Sequence, residues 1–125
     1  YSAQQDNTSV RIPSRTLSGS IGVQDWQPVG GGESSFFGVD PERPDRVYAG
    51  GLLGGLTEYD GRTGTIRDVD PYPTFAGFQE PSKLAARFNW NAPVLVSRHR
   101  PGTIYHGGNR LFRSVDRGLN WQAIS

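Results

Sequence analysis

Short runs of β-branched and aromatic residues alternate along the chain with clusters of Gly, Pro, Asn and Asp, and no stretch carries the spacing of an amphipathic helix. This alternation predicts strands over 1–5, 9–12, 26–29, 36–39, 46–49, 55–59 and 65–69. Four more are predicted over 94–97, 103–106, 110–114 and 121–124. A single helix is expected, over 81–88, where Pro81 suits a first helical position and good helix formers follow. It is two turns at most.

A repeat lies beneath the strands. Val47-Tyr48-Ala49-Gly50-Gly51 returns as Ile104-Tyr105-His106-Gly107-Gly108, 57 residues on, and Asp60 returns as Asp116, 56 residues on. A polar, proline-bearing turn precedes each Val/Ile-Tyr pair, over 40–45 and over 98–102. Tyr1-Ser2-Ala3 reads as the same second strand of an earlier unit, with Asp6-Asn7 as its turn. Each unit then holds four short strands joined by tight turns, the arrangement of a β-propeller blade. The expected fold is all-β, about two and a half four-stranded antiparallel blades. Residues 1–30 end one blade, 31–70 form the second, 71–92 are a long inter-blade connection, and 93–125 form the third. A closed propeller takes roughly 4–8 blades. The chain is therefore expected to be a fragment, completed by the remaining blades of a parent chain or by self-assembly.

Composition narrows the function classes. With 13 basic and 12 acidic residues the net charge is +1, and the acidic residues are interleaved with the arginines, so no basic stripe for nucleic acid forms. No Cys is present, which removes disulfides, thiol nucleophiles and cysteine-ligated metals. No apolar run reaches the roughly 20 residues that span a bilayer, and no signal peptide opens the chain. Only 34% of residues are apolar, yet the aromatic content argues against disorder. The absence of any Met, with Tyr1 in first place, leads us to expect a piece of something longer.

The sharpest motif is Ser114-Val115-Asp116-Arg117-Gly118-Leu119-Asn120-Trp121, an S-x-D-x-G-x-x-W pattern. Asp116 is placed to accept hydrogen bonds from turn amides, Gly118 to supply a positive φ, and Trp121 to bury its ring between sheets. The pattern resembles the Asp box of BNR-type propellers such as sialidases and sortilins, where Ser114, Asp116, Gly118 and Trp121 would be structural. Ala3-Gln4-Gln5-Asp6-Asn7, Val29-Gly30-Gly31-Gly32-Glu33-Ser34 and Arg87-Phe88-Asn89-Trp90-Asn91-Ala92-Pro93 resemble segments of sortilin-like bacterial proteins labelled glycosyl hydrolase. The resemblance covers nearly the whole chain and implies a propeller related to xyloglucanase-type hydrolases. It implies glycan binding or processing in the full-length parent, and a secreted or periplasmic location. The alternative it leaves open is a non-catalytic, sortilin-like scaffold for protein or peptide. No segment matches the catalytic carboxylates of those hydrolases, so no catalytic residue is carried over.

Blade geometry sorts the loops onto two faces. The top face is expected to gather Asp6-Asn7, the 30–35 connection, the 50–55 turn, the 71–92 connection and the 107–109 turn; the 40–45 and 99–102 turns and the Asp box lie opposite. Sites are usually built on such loops. Asp6 and Glu33 are the candidate acid–base pair, since glycoside hydrolysis commonly uses two carboxylates about 5–10 Å apart. The structural alternative is that Asp6 closes its turn while Glu33 pairs with an arginine or caps the chain. Candidate ligand contacts, for a glycan or a peptide, are Asn7, Ser34, Arg87, Trp90, His106 and Asn109. Gly30-Gly31-Gly32 lacks the lysine and helix of a phosphate loop and reads as a flexible turn. His99 and His106 lack metal-ligand spacing, so neither metal nor cofactor is expected. Tyr72, Phe75, Phe78, Phe88 and Trp90 either stack on a ligand or pin the long connection. Trp26 is expected in the core, mirroring Trp121.

Overall fold

A computed structural model describes residues 1–34, 36–72 and 76–125. Among them the chain is all-β, with eleven strands in three antiparallel sheets. Blade 1 is β1 (Ser2–Ala3), β2 (Ser9–Arg11) and β3 (Gln27–Pro28), paired in that order. Blade 2 is β4 (Phe37–Val39), β5 (Arg46–Gly50), β6 (Leu56–Asp60) and β7 (Thr65–Asp68). Blade 3 is β8 (Val94–Val96), β9 (Ile104–Gly107), β10 (Leu111–Ser114) and β11 (Gln122–Ala123). Each strand falls within a residue of a run predicted from the alternation, although several are shorter. The sequence repeat holds on the second strands, but the following turn is shorter in blade 3: Tyr48 pairs with Glu58 across β5–β6, whereas Tyr105 pairs with Arg113 across β9–β10, so Asp60 ends β6 while Asp116 lies beyond β10.

The period of two along a strand sends alternate side chains to the two faces of a blade. Tyr48, Leu56 and Val69 therefore leave blade 2 on one face, where they form a buried cluster with Val94 and Ile104 of blade 3, flanked by Val96 and Trp121. On the opposite face Arg11 of blade 1 lies over the ring of Tyr59, its guanidinium carbon 5.4 Å from the centroid. The first strands of blades 2 and 3 meet closely: a Cβ on Gly38 would stand 2.6 Å from Val96 Cγ2. Only glycine fits there.

Charged residues share the interface between blades 2 and 3. Glu58, whose side chain is 7% exposed, accepts from Arg67 Nε and Nη2 at 3.1 Å each and from the Tyr48 hydroxyl at 2.9 Å. Arg46 donates to Asp40 at 2.9 Å, and Arg67 reaches across to the Arg117 carbonyl of blade 3 at 2.8 Å. Burial works against ionisation of Glu58, but the hydrogen bonds from Arg67 and Tyr48 outweigh it and hold its pKa below the usual value. Burial raises the Tyr48 hydroxyl, and the Glu58 carboxylate adds to that.

Two expectations are corrected. The predicted helix over 81–88 is a single 3₁₀ turn, Pro81–Lys83, after which Leu84 is extended. Tertiary contacts override local propensity: the Arg87 N–H, which an α-helix would commit to the Lys83 carbonyl, donates to Asn109 Oδ1 at 2.8 Å, and the Arg87 carbonyl accepts the Asn109 N–H at 2.7 Å. Trp26 is not core but 40% exposed. It does occupy the position of Trp121, directly before the last strand of its blade, but among the described residues no sheet lies against the outer face of blade 1. A second 3₁₀ turn, Val23–Asp25, has no counterpart in the pattern-based reading.

Candidate functional site

The strand directions bring the loops expected on the top face together, and specific bonds tie them. Glu33 Oε2 accepts the Asp6 N–H at 2.6 Å, Ser9 Oγ donates to the Gly32 carbonyl at 2.8 Å, and the Gly32 N–H reaches the Gly50 carbonyl at 3.1 Å. Leu52 forms an isolated bridge with Asn91, which fastens the long connection to blade 2. The glycine run is a fixed crossing rather than a flexible turn. Gly31 has φ +66°, its N–H donates to Thr57 Oγ1 at 2.7 Å, and a Cβ would lie 2.8 Å from that of Ala49.

The candidate residues separate by exposure. Asp6 and Glu33 are adjacent, and Glu33 caps the Asp6 turn through the backbone N–H. Asp6 has φ +57°, and the turn is closed by the Asn7 N–H to the Gln4 carbonyl and by Asn7 Oδ1 accepting from Thr8. Asn7, Arg87, Trp90 and Asn109 are exposed, Trp90 at 48%. Ser34 and His106 are fully buried, so neither side chain reaches a ligand on this surface. The Ser34 hydroxyl has no hydrogen-bond partner among the described residues. His106 is a cross-brace between blades: Nδ1 is 3.0 Å from the Pro93 carbonyl oxygen and Nε2 2.9 Å from that of Gly54. Burial lowers its pKa, against the two carbonyls, which favour the charged ring. Phe75 and Ser35 lie outside the described residues.

Two of the exposed candidates, Arg87 and Asn109, line a cleft. Arg87, Phe88, Asn89, Pro93, Gly107, Gly108 and Asn109 line an open cleft of about 390 Å³ between the long connection and the β9–β10 turn. Phe88 anchors it, stacked on His106 with centroids 5.0 Å apart and 5.6 Å from Phe112. Gly108 stays small because a Cβ would lie 2.7 Å from the Arg87 carbonyl. The backbone of Arg87 is thus held rigidly by Asn109, and none of the ion pairs among the described residues uses its guanidinium. The cleft offers the Arg87 cation, two amides and the Phe88 ring, a set suited to orienting a polar, ring-shaped ligand. The pattern-based reading named Asn89 and Pro93 within the Arg87–Pro93 segment but not as ligand contacts. Among the described residues no three His, Asp or Glu side chains gather as metal ligands.

The opposite face holds the Ser114–Trp121 turn. Ser114 Oγ donates to Asp116 Oδ1 at 2.8 Å and accepts the Gly118 N–H at 2.8 Å. Asp116 also accepts the backbone and side-chain N–H groups of Asn120, at 2.9 and 2.7 Å, which draws its pKa down to about 2. Gly118 has φ +83°, and Trp121 Nε1 donates to the Val69 carbonyl at 2.8 Å, pinning blade 3 to blade 2. Every polar atom of the Asp116 carboxylate is engaged in holding the turn.

No helix among the described residues is long and apolar enough to cross a membrane. No protein-family profile matches the chain, and no curated protein matches it. Among solved structures the chain is similar to the GH74 xyloglucanase from Xanthomonas campestris, at 20% identity and a TM-score of 0.56, over 82% of this chain. The chain spans 16% of the length of that enzyme. At that identity the likeness is one of fold, and it places these three blades in a propeller-like architecture of the kind a glycoside hydrolase uses.

Proposed function

We propose that the chain is part of an Asp-box propeller related to glycoside hydrolases, and that its top-face cleft holds a glycan. The observation that carries this is the cleft of about 390 Å³ lined by the Phe88 ring, the Asn89 and Asn109 amides and Arg87, whose guanidinium joins no ion pair among the described residues, with the exposed Trp90 next along the chain from Asn89. A sugar needs an apolar platform and a few fixed polar groups at its rim, and these residues supply both. The likeness to the xyloglucanase supports a glycan over a peptide as the ligand, and a secreted or periplasmic setting goes with that reading. Hydrolysis is not assigned to this chain. Asp6 and Glu33 are the carboxylates to remove when testing for it, and any hydrolysis that survives Asp6→Asn with Glu33→Gln excludes them.

The test is a titration with a xyloglucan oligosaccharide followed by amide chemical shifts. Shifts are expected at Arg87, Trp90 and Asn109, with Trp90→Ala and Arg87→Ala each weakening binding about tenfold, a change of about 1.4 kcal/mol. Binding of a peptide library at the same residues, with no response to the sugar, would favour the scaffold reading instead.

A further inference from the structure

Between Glu80 and Asp116 the sequence carries six basic residues, Lys83, Arg87, Arg98, Arg100, Arg110 and Arg113, and no Asp or Glu. Blade 2 is built the other way. There Arg43, Arg46, Arg62 and Arg67 each meet a carboxylate, of Asp40, Asp45, Asp60 or Glu58. Of the six, only Lys83 forms an ion pair among the described residues, with Glu80. The contrast extends to equivalent turns of the repeat. Gly50-Gly51 is followed by Leu52-Leu53, whereas Gly107-Gly108 is followed by Asn109-Arg110. A cation therefore stands on the top face of blade 3 where blade 2 is apolar.

The cleft beside this turn is anchored at the junction of blades 2 and 3. Its Phe88 stacks on His106 of blade 3 and leaves no room for a Cβ on Gly54 of blade 2. None of the lining residues is acidic. The polar groups are biased toward donors. Asn109 Oδ1 is taken by the Arg87 N–H at 2.8 Å, so the side chain of Asn109 has its NH2 group left to offer a ligand. Arg87 adds further N–H donors and a positive charge. Its backbone is fixed to Asn109 on both sides, so less ordering entropy is lost when the guanidinium engages a partner. Gly108 keeps the flank of the Phe88 ring clear, since a Cβ there would lie 2.8 Å from Cδ1 and Cε1. A neutral sugar presents hydroxyls and uses neither the charge nor the excess of donors. A carboxylate uses both, because its two oxygens match the guanidinium fork.

We propose that the cleft selects a glycan bearing a uronic acid, its carboxylate seated on the Arg87 guanidinium and the Asn109 amide and its ring against Phe88. This rests on the reading that the cleft holds a glycan, and it names the class of sugar. The test compares trigalacturonic acid with its methyl ester, which keeps ring and linkage but removes the charge. Each is titrated into the intact chain and followed on the amide signals of Arg87 and Asn109. The acid is expected to bind about tenfold more tightly than the ester, with the gap narrowing severalfold at about 0.5 M salt. Arg87→Gln is expected to bring acid and ester to equal affinity. Asn109→Asp retains an acceptor for the Arg87 N–H and adds a negative charge beside the guanidinium, so it is expected to weaken the acid alone. Equal affinity of acid and ester for the parent chain, or a preference that survives both substitutions, overturns the proposal while leaving the glycan reading in place. If neither these sugars nor a xyloglucan oligosaccharide shifts Arg87 and Asn109, the glycan reading falls and the proposal falls with it.

Discussion

Two side chains carry pH-dependent consequences that follow from their partners. Asp116 has its pKa drawn from 3.8 to about 2 by the Asn120 and Ser114 hydrogen bonds, so it contributes stability above the unfolded value that is lost as pH falls through about 2. A carboxyl titration by NMR is expected to give a midpoint near 2 for this residue, and Asp116→Ala is expected to lower the melting temperature at pH 7 but hardly at pH 2. His106 is a base whose pKa is lowered by burial, so the folded state resists its protonation. Its contribution is complete above the ordinary value of 6.5 and is lost as pH falls from there through the folded value. The melting temperature is expected to drop on acidification from pH 7.5 to 5 by more in the parent chain than in His106→Gln. The role of Asp116 was legible in the sequence because a turn aspartate followed by glycine has a short-range logic. The burial of His106 was not. Its two carbonyl partners come from Pro93 and from Gly54, 52 residues away, and no local pattern encodes that meeting.

At the level of elements, the strands were readable because each is a short β-rich run fenced by Gly, Pro, Asn or Asp, and those fences work locally. The 81–88 segment was misread for the opposite reason: its helix formers are outvoted by the bonds that fasten Arg87 to Asn109. The ion cluster inside the blade 2–blade 3 interface was equally hidden, because it depends on register. Only when Tyr48 faces Glu58, and Glu58 faces Arg67, do a phenol, a carboxylate and a guanidinium converge. Removing Arg67 strips the buried Glu58 carboxylate of two of its hydrogen bonds. Arg67→Ala is therefore expected to destabilise the fold by about 3 kcal/mol in chemical denaturation, whereas replacing the exposed Arg62 costs under about 0.5 kcal/mol. Trp121→Ala is expected to cost about 3 kcal/mol, since it loses both ring packing and the bond to Val69. The equivalent Trp26→Ala is expected to cost clearly less, because Trp26 is 40% exposed and no sheet among the described residues covers its ring.

For the whole molecule, three sheets stacked in one sequence order make two faces and two ends. The top face collects the loops whose residues vary in chemistry, and the opposite face collects the turns that close blades. The strand order made this division predictable, and with it the region in which a site would lie. Which residues open to solvent there was not predictable, because Ser34 and Trp90 differ in burial through packing between blades rather than through sequence context. The measurement that bears most directly on the account is the titration of the intact chain with a xyloglucan oligosaccharide, read residue by residue. The account predicts saturable shifts confined to Arg87, Phe88, Trp90, Gly108 and Asn109, abolished in the Arg87→Ala, Trp90→Ala double variant while its fold is unchanged. Shifts absent from these residues at millimolar sugar, or binding undiminished in the double variant, would contradict it.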